Sequence, residues 1–162
     1  MSTLLGPENI EILTSLFVAM FLGMIIGTER IYAHKTAGMR TYALVSMGSA
    51  LFVIISKLMT TVYAGVGSID PLHMPSQIIA GVGFLGAGLI VFKNSKVKGL
   101  TTASSLWVSA GIGMAAGFGE YALAFMATVL TLFIFIVMWF IEQQVKKIPG
   151  YLNEEDEKDG EN

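Results

Sequence analysis

Residues 121–141 read YALAFMATVLTLFIFIVMWFI, an apolar run without a single charged side chain. A helix needs about 20 such residues to cross the ~30 Å hydrocarbon core of a bilayer. Within lipid, every backbone polar group must be satisfied inside the protein, so an isolated run of this kind has to be helical. This stretch therefore predicts a transmembrane helix and makes the bilayer the solvent of the chain.

Four more apolar runs precede this one, and together they predict spans at about 10–28, 41–62, 76–92, 99–119 and 121–141. Hydrophobic residues make up 54% of the chain and charged residues 14%, whereas soluble domains carry about 25% charged residues. The predicted fold is an all-α integral membrane protein, a bundle of about five transmembrane helices. Since only Glu120 separates the last two runs, a tight turn is expected near residues 117–120.

Charged residues divide the chain into regions. We expect an amino-terminal segment (residues 1–9), a transmembrane domain (residues 10–141) and an acidic cytoplasmic tail (residues 142–162) that is disordered because its end lacks apolar residues. Basic residues occur in the first and third connections and after the last span: Arg30, Lys35, Arg40, Lys93, Lys96, Lys98, Lys146 and Lys147. Lysine and arginine favour cytoplasmic loops, so the amino terminus is predicted to lie outside and the carboxyl terminus in the cytoplasm.

Glycines recur within the predicted spans. Residues 81–86 match the G-x-G-x-x-G pattern of dinucleotide-binding folds, but they lie in an apolar run and not after a soluble strand. Small residues let membrane helices approach closely. We therefore predict helix packing, within the bundle or across an oligomer that is most simply a dimer, at Gly23, Gly27, Gly81, Gly83, Gly86, Gly88, Gly113 and Gly117.

A polar cluster is predicted at the cytoplasmic face. Glu29 lies where the first span ends, and a carboxylate there is costly unless it is paired or hydrated. Adjacent helical residues point about 100° apart, so Glu29 is expected to pair with Arg40 or Lys35. A plain topology anchor explains these charges equally well. The predicted cluster comprises Glu29, Arg30, Lys35, Arg40, Thr41, Ser49, Lys98, Thr101, Thr102 and Ser105.

The amino end of the fourth span belongs to the same cluster. Thr101 or Thr102 could cap this helix, and the positive end of its dipole would favour a carboxylate. Glu29 lies on the same predicted side of the membrane. We therefore hypothesise that the Glu29 region contacts the start of the fourth helix.

The outer face offers Asp70, His73 and Gln77 as polar groups. Asp70 could supply oxygen to Mg²⁺, which needs only one or two carboxylates, although Asp70 followed by proline is more simply a turn. The chain has no cysteine and only two histidines, which argues against disulfides and thiolate metal sites. Because no catalytic triad, metal cluster or cofactor motif is found, we expect no enzymatic activity and no cofactor, with Mg²⁺ the one candidate ligand or substrate.

Several motifs occur in a fixed order: GTER (27–30), KTAGMRT (35–41), GS (48–49), DP (70–71), GVGFLGAG (81–88) and VKGLTTASSLW (97–107). Over residues 13–128 they resemble the amino-terminal membrane domain of the MgtC/SapB family. The resemblance implies a bacterial inner-membrane protein linked to magnesium limitation and acid stress, and to virulence in some members. Longer members carry a soluble carboxyl-terminal domain, which we expect this chain to lack.

Two positions depart from the family pattern. His73 lies where we expect an arginine, so a salt bridge to Asp70 would require a protonated histidine. Tyr42 lies where the family often has histidine. A proton-linked role is therefore not carried over to that position.

Two functions fit these observations. The favoured one is regulation of another membrane protein, such as the ATP synthase, through helix contacts in the lipid bilayer. The alternative is a transporter or channel for magnesium or another cation, formed by an oligomer. The centres of the predicted spans hold no carboxylate to carry a hydrated ion, which favours regulation. Nothing indicates a nucleic-acid partner.

Overall fold

A computed structural model describes residues 6–63, 70–93 and 96–145. These residues form five helices and one short hairpin: α1 (Pro7–Tyr32), α2 (Met39–Val62), α3 (His73–Ala87), β1 (Val91–Lys93), β2 (Lys96–Lys98), α4 (Leu100–Phe118) and α5 (Tyr121–Val145). Residues 142–145, predicted to begin the tail, are the last residues of α5. The rest of the predicted acidic tail lies outside the described residues.

Three helices, α1, α2 and α5, are long and apolar enough to cross a membrane. This makes the chain a membrane protein. The start of α1 follows from its sequence, since Pro7 occupies the first helical turn, where a missing N–H costs nothing. Hydroxyl side chains lower the apolar character of α4, and its Thr102, Ser105 and Ser109 are buried against the other helices.

The helix expected over about residues 76–92 has other bounds in the structure. The helix begins at His73 and ends at Ala87, and residues 91–93 form a strand. A short apolar run fits a strand as well as a helix, and the glycines at 86 and 88 weaken helix formation at this point. The hairpin β1–β2 was therefore not predicted.

Side-chain contacts define the direction of each helix. Ser15 lies 2.8 Å from the Tyr121 hydroxyl, and Arg30 packs over the Phe135 ring, so α1 and α5 run parallel. Gly23 faces Tyr42 and Ser46 of α2, while Gly27 faces Met39, so α1 and α2 run antiparallel.

Contacts of α4 with α2 and α3 give the directions of the remaining helices. Tyr42 contacts Ser105 near the start of α4, and Ala50 contacts Gly117 near its end, so α2 and α4 run parallel. Gly86, near the end of α3, faces Ala103 of α4. One end of the bundle therefore collects the carboxyl ends of α1, α3 and α5 and the amino ends of α2 and α4. We call it the basic end, since it holds Arg30, Lys35, Arg40, Lys93, Lys96 and Lys98.

Glycines in the left-handed region bound α4. Gly99 (φ 93°) is its N-cap and Gly119 (φ 89°) its C-cap; both dihedrals are costly for any other residue. The Gly119 N–H donates to Ala116 and the Glu120 N–H to Ala115, the Schellman pattern. The turn predicted near residues 117–120 is thus present. The predicted threonine cap is wrong, because Gly99 fills that position and no side chain caps α4.

Candidate functional site

A buried ion pair lies at the basic end. Arg30, in the last turn of α1, is only 3% exposed, and its guanidinium pairs with the Glu29 carboxylate. The guanidinium also lies 3.4 Å from the centroid of the Phe135 ring on α5. A buried charge is costly unless it is paired. Here a carboxylate and an aromatic face, a favourable cation–π partner, together compensate the arginine.

The predicted partners of Glu29 are wrong. Glu29 pairs with its neighbour Arg30, whereas Lys35 and Arg40 are exposed. The 100° angle between adjacent residues separates the Cβ atoms, but both side chains are long enough for their ends to meet. Arg40 instead lines a surface groove beside Thr41 and Met39, between α1 and α2.

Tyr42 connects α2 to α4. Its side chain is fully buried, and its hydroxyl lies 2.5 Å from Ser105 Oγ and 3.4 Å from the Thr102 carbonyl oxygen. Ser105 Oγ also donates to that carbonyl at 3.0 Å. The Tyr42 side chain therefore reaches from α2 to the start of α4, and the contact hypothesised between the Glu29 region and that helix stays a prediction.

Ser46 lies one turn deeper on α2, between α1 and α4. Its hydroxyl is, within the described part of the chain, the buried side-chain atom that lacks a hydrogen-bond partner. The neighbouring Ser109 Oγ donates to the Tyr42 carbonyl at 3.2 Å, an acceptor that a helical serine at position 46 could otherwise use. An unsatisfied buried hydroxyl is costly.

Four glycines hold α1 and α4 against α2. An added Cβ at Gly23 would lie 2.5 Å from the Tyr42 carbonyl oxygen, and one at Gly27 would lie 2.6 Å from Met39 Cα. An added Cβ at Gly117 would lie 2.8 Å from the Ala50 carbonyl oxygen, and one at Gly113 would overlap the backbone of Ser46. The interior between these three helices is thus closed by direct backbone contact.

The glycines of α3 are placed differently. Positions 81 and 83 have no atom within 4 Å of an added Cβ, while Gly86 is in ordinary contact with Ala103 and Gly88 with the end of its own helix. Gly81 lines a cavity of about 660 Å³ between α2 and α3, together with Ser49 and Gln77. Ser49 is not part of the Tyr42 network, since its hydroxyl donates to Val45 of its own helix.

Asp70 and His73 do not form a salt bridge. Asp70 Oδ1 accepts a hydrogen bond from the Leu72 N–H at 2.9 Å, which is the turn that its sequence favoured. His73 is exposed at the start of α3. Among the described residues no group of three His, Asp or Glu side chains could hold a metal, and Mg²⁺ binding at Asp70 stays a prediction.

The rest of the predicted cluster divides between surface and core. Lys98 and Thr101 are exposed, whereas Thr102 and Ser105 are buried. The contact of Phe135 with Arg30 was not predicted, because Phe135 lies 105 positions later in the sequence, within a run of similar apolar residues. Tyr42 was noted only as a departure from a family pattern. The sequence signal for the central position of Tyr42 was its place near the start of α2, which like α4 contains several serines.

The ion pair lies on the Phe135 ring of α5, and a series of buried hydroxyls packs between α1, α2 and α4. All of these groups except Phe135 lie within residues 13–128, which carry the ordered motifs. The family model described as the MgtC family matches residues 16–144. The chain belongs to the MgtC family. Glu29, Arg30 and Phe135, together with Tyr42 and Ser105, lie inside the matched region.

Curated proteins with similar sequences carry related names. The protein MgtC of Salmonella typhimurium is 41% identical over 135 residues, which cover 83% of this chain and 55% of that protein. YhiD of Escherichia coli, named as a candidate magnesium transporter, is 41% identical over 129 residues, covering 76% of this chain and 59% of YhiD. A Haemophilus influenzae protein without an assigned activity is 40% identical over 136 residues. This MgtC family chain thus spans less than two thirds of the length of these relatives. No solved structure matches it.

Proposed function

We propose that this chain is a multi-pass protein of the bacterial inner membrane that supports magnesium homeostasis by regulating another membrane protein. Membership of the MgtC family and the similarity to MgtC and YhiD support the link to magnesium. The proposal extends to growth under acid stress and, in a pathogen, to virulence. The regulated protein would be a machine such as the ATP synthase.

Five spans, with the basic end in the cytoplasm, are part of the proposal. The alternating helix directions support five crossings, since Tyr42 places the start of α4 beside that of α2. With 15 residues, α3 is about 22 Å long, shorter than the ~30 Å hydrocarbon core. A short span is accommodated by local thinning of the bilayer. The lysines and arginines at the basic end support its cytoplasmic placement.

Regulation is favoured over conduction by one observation, the closed packing of α2 between α1 and α4. Gly23, Gly27 and Gly117 bring the helix backbones into contact, so a single chain offers no aqueous path along this core. The buried polar side chains of α2 and α4 in this core are hydroxyls, among them Ser46, Thr102, Ser105 and Ser109, and not carboxylates. A hydrated divalent ion gives up its water only for strong oxygen ligands.

The alternative is a cation transporter formed by several chains. It is favoured by the cavity between α2 and α3, whose walls include Ser49, Gln77 and the uncontacted Gly81. A second chain could complete a polar path there. Such a path would cross an interface between chains and would leave the three-helix core unchanged.

The deciding experiment compares magnesium flux with magnesium-limited growth. Purified wild-type protein, Glu29→Gln and Glu120→Gln are reconstituted into proteoliposomes that contain a magnesium-sensitive dye. The same variants are expressed in a deletion strain grown at low magnesium. Glu120 is the matched control, because it is an exposed carboxylate at the other end of the bundle.

Regulation predicts no protein-dependent flux, together with growth that fails for Glu29→Gln and is normal for Glu120→Gln. Protein-dependent flux that Glu29→Gln diminishes would overturn the proposal and establish transport. The topology has a separate test, with reporters fused after Ser68 and after Asn162. Both reporters on the same side would contradict five spans.

A further inference from the structure

The hairpin β1–β2 has one apolar face and one basic face. Its register pairs Phe92 with Val97, Val91 with Lys98, and Lys93 with Lys96. Directly paired residues of an antiparallel ribbon share a face, and successive residues alternate between faces. Phe92 and Val97 therefore lie on one face, and the other carries Val91 and three lysines. The apolar face is uncovered, with Phe92 72% and Val97 50% exposed.

The hairpin is held close to the helix ends. Only Gly88, Leu89 and Ile90 separate α3 from β1, and only Gly99 separates β2 from α4. Gly99 packs so tightly against the backbone of Leu89 that an added Cβ would overlap it, and Leu89 itself packs against the core. The ribbon is thus fixed at the level where two helices reach the basic end, which the proposed topology puts at the cytoplasmic surface of the bilayer.

We propose that this hairpin is a docking site for the anionic phospholipid headgroups of the cytoplasmic leaflet. Phe92 and Val97 insert at the boundary between headgroups and acyl chains, and the lysines of the opposite face bind lipid phosphates. An interfacial helix divides its surface in the same way, with large apolar residues below and lysines above. The site is separate from the Glu29–Arg30 ion pair. It rests on the proposed topology, in which the basic end faces the cytoplasm, but not on regulation of a partner.

Charge and position together identify lipid as the occupant. The face holds three lysines within six residues, and every acidic residue of the described chain lies outside the hairpin. The anionic leaflet strengthens the binding of each nearby lysine about fivefold. Insertion of the aromatic ring requires an apolar layer next to the ribbon, which the bilayer supplies and free phosphate does not.

The test uses the absence of cysteine from the chain. Single cysteines are introduced at Phe92, at Val97 or at the control position Val91, and each is labelled with an environment-sensitive fluorophore. Val91 is adjacent to Phe92 in sequence but lies on the lysine face, and its replacement removes no charge. Labelled full-length protein is placed in nanodiscs of phosphatidylcholine, with or without about one third phosphatidylglycerol. Acrylamide is the quencher, because a neutral molecule does not respond to the surface charge.

In nanodiscs with phosphatidylglycerol, labels at 92 and 97 should be quenched about threefold less than the label at 91, as expected for side chains inserted at the interface. Lys93→Gln with Lys98→Gln should lower the ratio of docked to undocked hairpin about 25-fold, at about fivefold per lysine. Equal quenching at 91, 92 and 97 would overturn the proposal. If protection from the quencher does not depend on phosphatidylglycerol, the hairpin does not recognise anionic headgroups. If inorganic phosphate gives the same protection in nanodiscs of phosphatidylcholine alone, the ligand is phosphate and not lipid. Since 92 and 97 report on the same face, one misfolded variant does not decide the outcome.

Discussion

Alanine at Gly113 should destabilise the protein strongly, whereas alanine at Gly111, two residues earlier on the same helix, should not. An added Cβ at Gly113 would lie 2.6 Å from the Ser46 carbonyl carbon and 2.8 Å from its Cα. Carbon atoms ordinarily approach to about 3.5–4.0 Å. Backbone atoms cannot rotate aside as a side chain can, so α2 and α4 would have to separate by about 1 Å.

The cost follows from that separation. Overpacking of a filled interior costs about 1–3 kcal/mol, and a gap of about 1 Å weakens each contact along the seam by up to half. We expect a loss of about 3 kcal/mol in the free energy of unfolding at Gly113. At Gly111 an added Cβ meets no atom within 4 Å, and alanine favours the helix by about 0.5–1 kcal/mol.

The assay is thermal unfolding of both variants and the wild type in one detergent. A change of 1 kcal/mol shifts Tm by about 2–4 °C in a chain of this size, so the two variants should differ by about 10 °C. Gly117→Ala should resemble Gly113→Ala, because its Cβ would lie 2.8 Å from the Ala50 carbonyl oxygen. Equal Tm values for the Gly111 and Gly113 variants would refute the packing of α4 on Ser46. A low Tm for Gly111→Ala alone would place a further contact on the open side of α4.

Four other substitutions test the contacts of the buried polar groups through Tm. Ser46→Ala should leave the free energy of unfolding unchanged or raise it by about 1 kcal/mol, since the Ser46 hydroxyl is unpaired. Ser109→Ala should lower it by about 1 kcal/mol, because the hydrogen bond to the Tyr42 carbonyl is lost. A larger loss of Tm for Ser46→Ala than for Ser109→Ala would mean that the Ser46 hydroxyl has a partner. Phe135→Leu keeps an apolar side chain but removes the ring beneath Arg30 and should cost about 1–2 kcal/mol; an unchanged Tm would exclude a cation–π contribution. Tyr42→Phe should cost about 1 kcal/mol with the loss of its hydroxyl bonds, and a higher Tm would contradict the network.

The positions of most helices could be predicted, because the position and length of an apolar run indicate where a membrane helix lies. The residues of α2, predicted as 41–62, form Met39–Val62, and those of α4, predicted as 99–119, form Leu100–Phe118. The end of α3 could not be placed in the same way, since residues 88–92 continue the apolar run into a strand. Apolar composition indicates that a segment lies in lipid and not in water. Over so few residues it does not distinguish a helix from a β-ribbon.

The roles of the glycines depended on information that a local pattern lacks. Gly23 with Gly27 and Gly113 with Gly117 repeat at four residues, and both pairs contact α2. Gly83 and Ala87 have the same spacing, yet an added Cβ at Gly83 would have no atom within 4 Å. The spacing shows that two small residues share one helix face. Which neighbour covers that face is decided by the arrangement of the whole bundle.

The ion pair of α1 contacts α5, and this affects what a substitution there can reveal. Arg30, in the last turn of α1, lies on the Phe135 ring of α5. A buried ion pair is weak proof of a stabilising role, because desolvation opposes the attraction, whereas removal of one partner leaves a buried charge. Glu29→Gln would therefore loosen the basic end even if its carboxylate had no other role. Failed growth shows a functional carboxylate only when Tm is also preserved, so the growth assay and the unfolding assay have to be made on the same variant.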